Sequence, residues 1–278
     1  MKKLVLLFSF LLLSQIVLGQ ALPQADPASV GVNPSRLERI DQLIETYIQR
    51  GWLPGGVFLI ARKGKTVYHK SFGVKDPVQK KNYQKNDIFR IASMTKAITT
   101  VATLQLFEQG KLGLDDPVYA YIPAFKDAQV LDKFNNEDSS YTTVPAKSPV
   151  TIRQLLTHTS GITYGDFNPG KLQAVYADHD MTGVGLSHEE WSTKEFINRL
   201  ARVPLAFQPG EKYLYGLSMD VLGRVIEVIS GQPLDEYFEE NIFKPLGLQD
   251  TYFYLPGAKH ARLVPLYTLD KKRSLAIA

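Results

Sequence analysis

Two short apolar runs, Val57 to Ala61 and Thr66 to Tyr68, meet across Lys63-Gly64, and this hairpin limits what the chain can become. Runs of that length, rich in β-branched and aromatic residues and bounded by a glycine turn, read as paired strands. A two-stranded ribbon with an apolar face is marginal in water unless helices or further strands cover it. The flanking sequence is helical. Before the hairpin, Asn33-Pro34 predicts a helix start, with asparagine as cap and proline in the first turn. Ser35 and Glu38 offer an alternative capping box. Leu37, Ile40, Ile44, Tyr47 and Ile48 then recur at helical spacing, and Gly51 stops the run.

After the hairpin the helical signals continue. One helix is expected from Ser93 to Gln109, ended by Gly110, with Ala97, Val101, Leu104 and Phe107 as its inward stripe. Asp115-Asp116-Pro117 should cap a short helix. Residues 126–149 are polar and read as a mobile loop, and residues 161–188 read as a long surface loop. Thr151 with Gln154 and Ser192 with Glu195 form two capping-box patterns. Ser218 is placed as the cap of a helix reaching Ser230, and Pro233 starts another to about Phe243. Downstream of Phe253 only Leu263 to Leu269 reads as a further strand.

The N-terminus carries its own signal. Lys2 and Lys3 precede the apolar stretch Leu4 to Leu13, and small residues end at Gly19. Residues 1–19 therefore read as a secretory signal peptide, with one domain over residues 20–278, and the protein is expected to be exported, periplasmic or secreted. The apolar stretch is short for a membrane span, so no stable anchor is expected after cleavage. Loss of Lys2 and Lys3 takes the formal charge from +4 to +2. Near-neutrality gives no sign of a nucleic-acid surface. The chain has no cysteine, which excludes disulfides, thiolate metal sites and a cysteine nucleophile.

Ser93-Met94-Thr95-Lys96 carries the chemistry. A serine three residues before a lysine at a helix start places both side chains on one face. The hydroxyl becomes nucleophilic when a neighbour takes its proton. Lys96 can do so if burial and the positive helix end lower its pKa. A second group must relay a proton to the leaving group. The candidate is Tyr215, on a connector between Pro209-Gly210 and the helix near Ser218; beside lysine ammonium groups its phenol should ionise below its ordinary value of about 10. His158 reads as a turn-fixing residue. Asp178-His179-Asp180 with His188-Glu189-Glu190 reads as a solvated acidic loop, and Trp52 and Trp191 as packing residues.

Several stretches together resemble the serine hydrolase family of class C β-lactamases, D-Ala-D-Ala carboxypeptidases and related esterases. They are Phe89-Arg-Ile-Ala-Ser-Met-Thr-Lys96, Gly110-Lys-Leu-Gly-Leu-Asp-Asp-Pro117, Leu155-Leu-Thr-His-Thr-Ser-Gly161, Gln208-Pro-Gly-Glu-Lys-Tyr-Leu-Tyr215 and Pro245-Leu-Gly-Leu248. The resemblance implies an α/β (α+β) fold of the β-lactamase/transpeptidase type. An antiparallel sheet, here incomplete, would pack with helices and a mainly helical subdomain, with the site at their junction. It implies Ser93 as the acylated nucleophile, Lys96 as its activator and Tyr215 as general base and then acid. The Ser93 N–H would be one oxyanion donor. The implied substrate is a small ester, amide or β-lactam, with no cofactor.

Two departures follow. Where the family often has Tyr-x-Asn, this chain has Tyr215-Gly216-Leu217. Leucine cannot hydrogen-bond a substrate amide, which tilts the expectation toward an ester. The family's late Lys-Thr-Gly or His-x-Gly strand has no counterpart; Lys259-His260-Ala261 does not fit. The chain is thus expected to lack the C-terminal strands and their second oxyanion N–H. The alternative is an impaired or inactive truncated member of the family acting as a binding or interaction protein.

Overall fold

The structure, a computed structural model, describes residues 22–183, 191–270 and 274–277. The chain divides into two compact units, one of residues 1–91 with 245–278 and one of residues 92–244. The expected signal peptide lies outside the described residues.

The first unit is built on the hairpin. Helix α1 (Pro34–Gln49) starts as expected, with the Asn33 side chain accepting from the Ser35 N–H. Strands β1 (Gly55–Arg62) and β2 (Lys65–Asp76) pair antiparallel, and the short β3 (Lys81–Asn82) extends the sheet in the order β1-β2-β3. Both turn residues have positive φ, 50° at Lys63 and 68° at Gly64. That is the twist-matched geometry of a two-residue hairpin. A buried ion pair, Lys75 with Asp87, ties β2 to the segment that follows the sheet. The expected third strand over residues 263–269 is shorter than the sequence suggests. Tyr267–Leu269 pairs with Leu275–Ile277 in a separate ribbon, and Leu263 makes only an isolated bridge to Ile88.

The second unit holds the main core. Helix α2 (Thr95–Glu108) is preceded by a 3₁₀ turn over Ala92–Met94. Its inward face is Thr99, Ala102, Thr103 and Leu106, and the expected stripe is wrong: Val101, Leu104 and Phe107 are exposed. The helix is apolar on nearly every side, so periodicity does not single out one face.

The polar stretch 126–149 is also not a mobile loop. It folds into an antiparallel hairpin, β4 (Gln129–Phe134) with β5 (Tyr141–Pro145), because Val130 and Leu131 reach the core. Helix α3 (Ile152–Leu156) has the complete Thr151/Gln154 capping box. The supposed surface loop after Gly161 contains α4 (Lys171–Asp178), which buries Val175 and Tyr176. Helix α5 (Thr193–Leu200) is capped by Ser192. The centre of the core is α6 (Ser218–Ser230), whose Val221, Leu222, Val225 and Ile226 are fully enclosed. Ser218 does not cap it. Leu217 occupies that position, and the buried Ser218 hydroxyl pairs with that of Ser160 at 2.9 Å. Helix α7 (Leu234–Phe238) runs on into a π turn over Glu239–Phe243. Among the described residues no helix is long and apolar enough to cross a membrane.

Candidate active site

Ser93, Lys96 and Tyr215 all belong to the second unit, and the fold brings them together. Ser93 lies in the 3₁₀ turn entering α2 and is exposed, while Lys96 in the first turn of α2 is partly buried. The Lys96 ammonium donates to the Ser93 hydroxyl at 3.3 Å and to the Tyr164 hydroxyl at 3.1 Å. It also sits 4.8 Å from the centre of the Tyr215 ring. Ala92, just before the serine, has φ of 41°. A non-glycine residue rarely adopts that region, and such strain is held in place only where the surrounding fold over-determines it.

The charges run opposite to one expectation. Lys96 is not depressed. Burial disfavours its ammonium, but hydrogen bonds with Tyr215 and Tyr164 and the pull of their phenolate forms more than offset this, so its pKa lies above the ordinary value. Tyr215 moves the other way. Burial raises its phenol, yet the hydrogen bonds with Lys96 and Ser93 and the ammonium charge bring it below the ordinary tyrosine value. The pair is therefore biased toward ammonium and phenolate. Of the groups beside Ser93, Tyr215 is the one whose deprotonated form these surroundings favour.

Sequence reasoning missed two neighbours. Tyr164 is buried, stands 5.8 Å from the Tyr215 ring, and accepts from Lys96. Burial raises its phenol despite that ammonium. Asp220, in the first turn of α6, is pushed up to about 6 by burial, against the opposing pull of Lys96 and of its own backbone N–H. Neither sits in a spacing pattern that betrays it. Tyr164 comes only three residues after Gly161, in what read as loop.

The walls of the site are stitched backbone to side chain. The Tyr215 carbonyl accepts from the Thr163 hydroxyl at 3.1 Å, and the Thr163 N–H donates to the buried Tyr176 hydroxyl at 2.9 Å. Asn168 donates to both the Thr163 hydroxyl and the Tyr164 carbonyl. Gly216 is required by this close approach: a Cβ there would lie 2.2 Å from the Thr163 Cα, which is backbone and cannot swing aside. Gly216→Ala should cost roughly 1–3 kcal/mol of stability and displace Tyr215. Urea unfolding and ester turnover of the variant check both effects.

Leu217, the residue that departs from Tyr-x-Asn, is 3% exposed and packed into the core. It presents nothing to a substrate. His158 fixes a turn through its backbone, with φ of 53°, and packs its ring 4.9 Å from Tyr215. Asp178 and His179 share the Tyr141 hydroxyl at 2.8 and 3.1 Å. His188, Glu189 and Glu190 lie outside the described residues. Among the described residues no group of three or more histidines and carboxylates could hold a metal.

The beta-lactamase family matches residues 40–277, most of the chain. The chain belongs to that family. Among relatives of this beta-lactamase family protein, Esterase EstB of Burkholderia gladioli is 32% identical over 231 residues, covering 82% of this chain and 54% of the relative. A putative D-alanyl-D-alanine carboxypeptidase of Escherichia coli K12 is 32% identical over 268 residues, covering 91% and 56%. The solved structure of EstCE1, described as a hydrolase with promiscuous acyltransferase activity, superposes with a TM-score of 0.75 at 31% identity, covering 88% of this chain and 59% of that one. The chain spans little more than half the length of these relatives. The fold is that of the β-lactamase/transpeptidase type, mixing helices with antiparallel strands as the sequence predicted.

Proposed function

We propose that the protein is a serine hydrolase that works through an acyl-enzyme, with a small ester as its preferred substrate. The observation that carries this is the contact of Lys96 with both the Ser93 hydroxyl and the Tyr215 ring, with the Tyr215 phenol held below its ordinary range. Tyr215 as phenolate takes the Ser93 proton while Oγ attacks the ester carbonyl carbon. The tetrahedral oxyanion is stabilised by the Ser93 N–H, which lies at a helix start where backbone donors have no intrahelical partner. Tyr215 then gives its proton to the leaving alkoxide, the C–O bond breaks, and the alcohol departs. Water, deprotonated by the same phenolate, attacks the Ser93 ester. The acid leaves and Ser93 regains a proton. An alcohol in place of that water would give acyl transfer, the activity named for EstCE1. Lys96 stays charged throughout, holding the phenolate.

The ester preference rests on Leu217. Its side chain is in the core, so this position offers no hydrogen bond to an amide or β-lactam. A fluorescent fluorophosphonate should label the wild-type chain at pH 8 and leave Ser93→Ala unlabelled, and a p-nitrophenyl ester should be turned over faster than nitrocefin. Equal labelling of Ser93→Ala overturns the assignment of the nucleophile. No labelling of either overturns the hydrolase and favours a binding protein. Export is part of the same proposal, on the strength of Lys2, Lys3 and the apolar stretch after them.

A further inference from the structure

His158 organises the segment that carries Tyr215 by two separate means. Its backbone carbonyl accepts from the Leu214 N–H at 2.8 Å. Its ring packs near the side chains of the two residues that flank Leu214, 4.9 Å from the Tyr215 ring and 6.0 Å from the Tyr213 ring. The side chain is buried, 8% exposed, and its Nδ1 has no hydrogen-bond partner among the described residues. A buried N–H without a partner is costly, whereas a bare lone pair costs less, so the tautomer that fits is the neutral one with its proton on Nε2. The backbone also suits the residue, since histidine is among the few non-glycine types enriched at positive φ.

We propose that His158 is a positioning residue: its neutral imidazole is the wall against which the Tyr215 phenol is set, and protonating it disables the site. This rests on the hydrolase reading above. The groups facing it are Lys96 from α2 and Tyr213 and Tyr215 from the connector, and Tyr215 in turn feels the Asp220 charge and packs against the Tyr164 ring. A second cation here would adjoin the Lys96 ammonium with no carboxylate within hydrogen-bonding distance of Nδ1. Burial first, and then Lys96, keep the imidazole neutral to lower pH than an ordinary histidine.

The consequence is a second break in the acid limb. With Tyr215 as base, log kcat/KM for a p-nitrophenyl ester should fall with slope one as the phenolate takes up a proton, and steepen to slope two at a pH below the ordinary histidine range, where His158 takes up its own. His158→Phe keeps an aromatic wall and removes the titration. It should stay at slope one throughout and remain within tenfold of wild type at pH 8. His158→Asn suits the positive φ but removes the ring, so it should lose activity at every pH, again with slope one. Asp220 titrates nearby, so the same profile is taken on Asp220→Asn, where the steepening must persist. Steepening that survives in His158→Phe, or that is missing from wild type, overturns the proposal. Fluorophosphonate labelling at pH 8 reads the hydrolase assignment separately, so the two can fail independently.

Discussion

Tyr215→Phe should lower kcat/KM for a p-nitrophenyl ester by roughly 10²–10⁴-fold, the usual value of a positioned acid–base group. The substitution removes one oxygen and little else. The ring keeps its neighbours, His158 at 4.9 Å and Tyr164 at 5.8 Å, and the Tyr215 carbonyl keeps the Thr163 hydroxyl. What disappears is the atom between Lys96 and Ser93 that is biased to bear negative charge. Stability should therefore stay close to wild type while turnover collapses, and thermal unfolding beside steady-state kinetics separates the two. Tyr215 is depressed, so the sign of the pH effect is fixed: the reactive phenolate is present above its lowered pKa and is lost as pH falls through it. That fall should vanish from the residual activity of the variant. A loss smaller than tenfold would leave Lys96 as the base, against the direction of its own shift.

Ser93 and Lys96 were legible because their relation is local. Two side chains one helical turn apart meet whatever the rest of the chain does, and the fold merely adds Tyr215 to them. Tyr215 itself was legible through its flanks, Pro209-Gly210 before it and an apolar helix after it. Tyr164 and Asp220 were not, because both become neighbours of Lys96 only through tertiary packing. Their local sequence is that of an ordinary loop tyrosine and an ordinary acidic first turn. The same division runs through the fold. The caps at Asn33, Thr151 and Ser192 are short-range hydrogen bonds and read directly. The inward face of α2 does not, since Val101, Leu104 and Phe107 are as apolar as the buried positions and long-range packing makes the choice. The hairpin β4–β5 was hidden by Asn135 to Ser140, a polar turn that masked the two core-facing residues Val130 and Leu131 beside it. In each miss, tertiary burial overrode a local signal that was weak or symmetrical.

Asp220→Asn should stabilise the protein at neutral pH, and the gain should shrink in acid. The folded pKa of about 6 lies above the unfolded value of 3.8. A carboxyl raised in this way is favoured in its protonated form by the fold, so stability is fullest in acid and is lost as pH rises from the unfolded pKa through the folded one. At one pKa unit per 1.36 kcal/mol, ionised Asp220 costs on the order of 3 kcal/mol at pH 8 and about 1 kcal/mol at pH 4.5. Asparagine has nearly the same shape and no charge to desolvate, so urea unfolding of the two chains should diverge between those two pH values. A gap that is constant with pH, or a less stable variant at pH 8, would show that Asp220 is not the source. The cost has a counterpart in the site. The Asp220 charge raises the phenols of both Tyr164 and Tyr215, opposing Lys96. Removing it should let Tyr215 ionise at lower pH and carry ester turnover further into the acid range. Under this account the partly buried carboxylate trades stability for control of the phenol, as groups of perturbed pKa beside reactive centres commonly do.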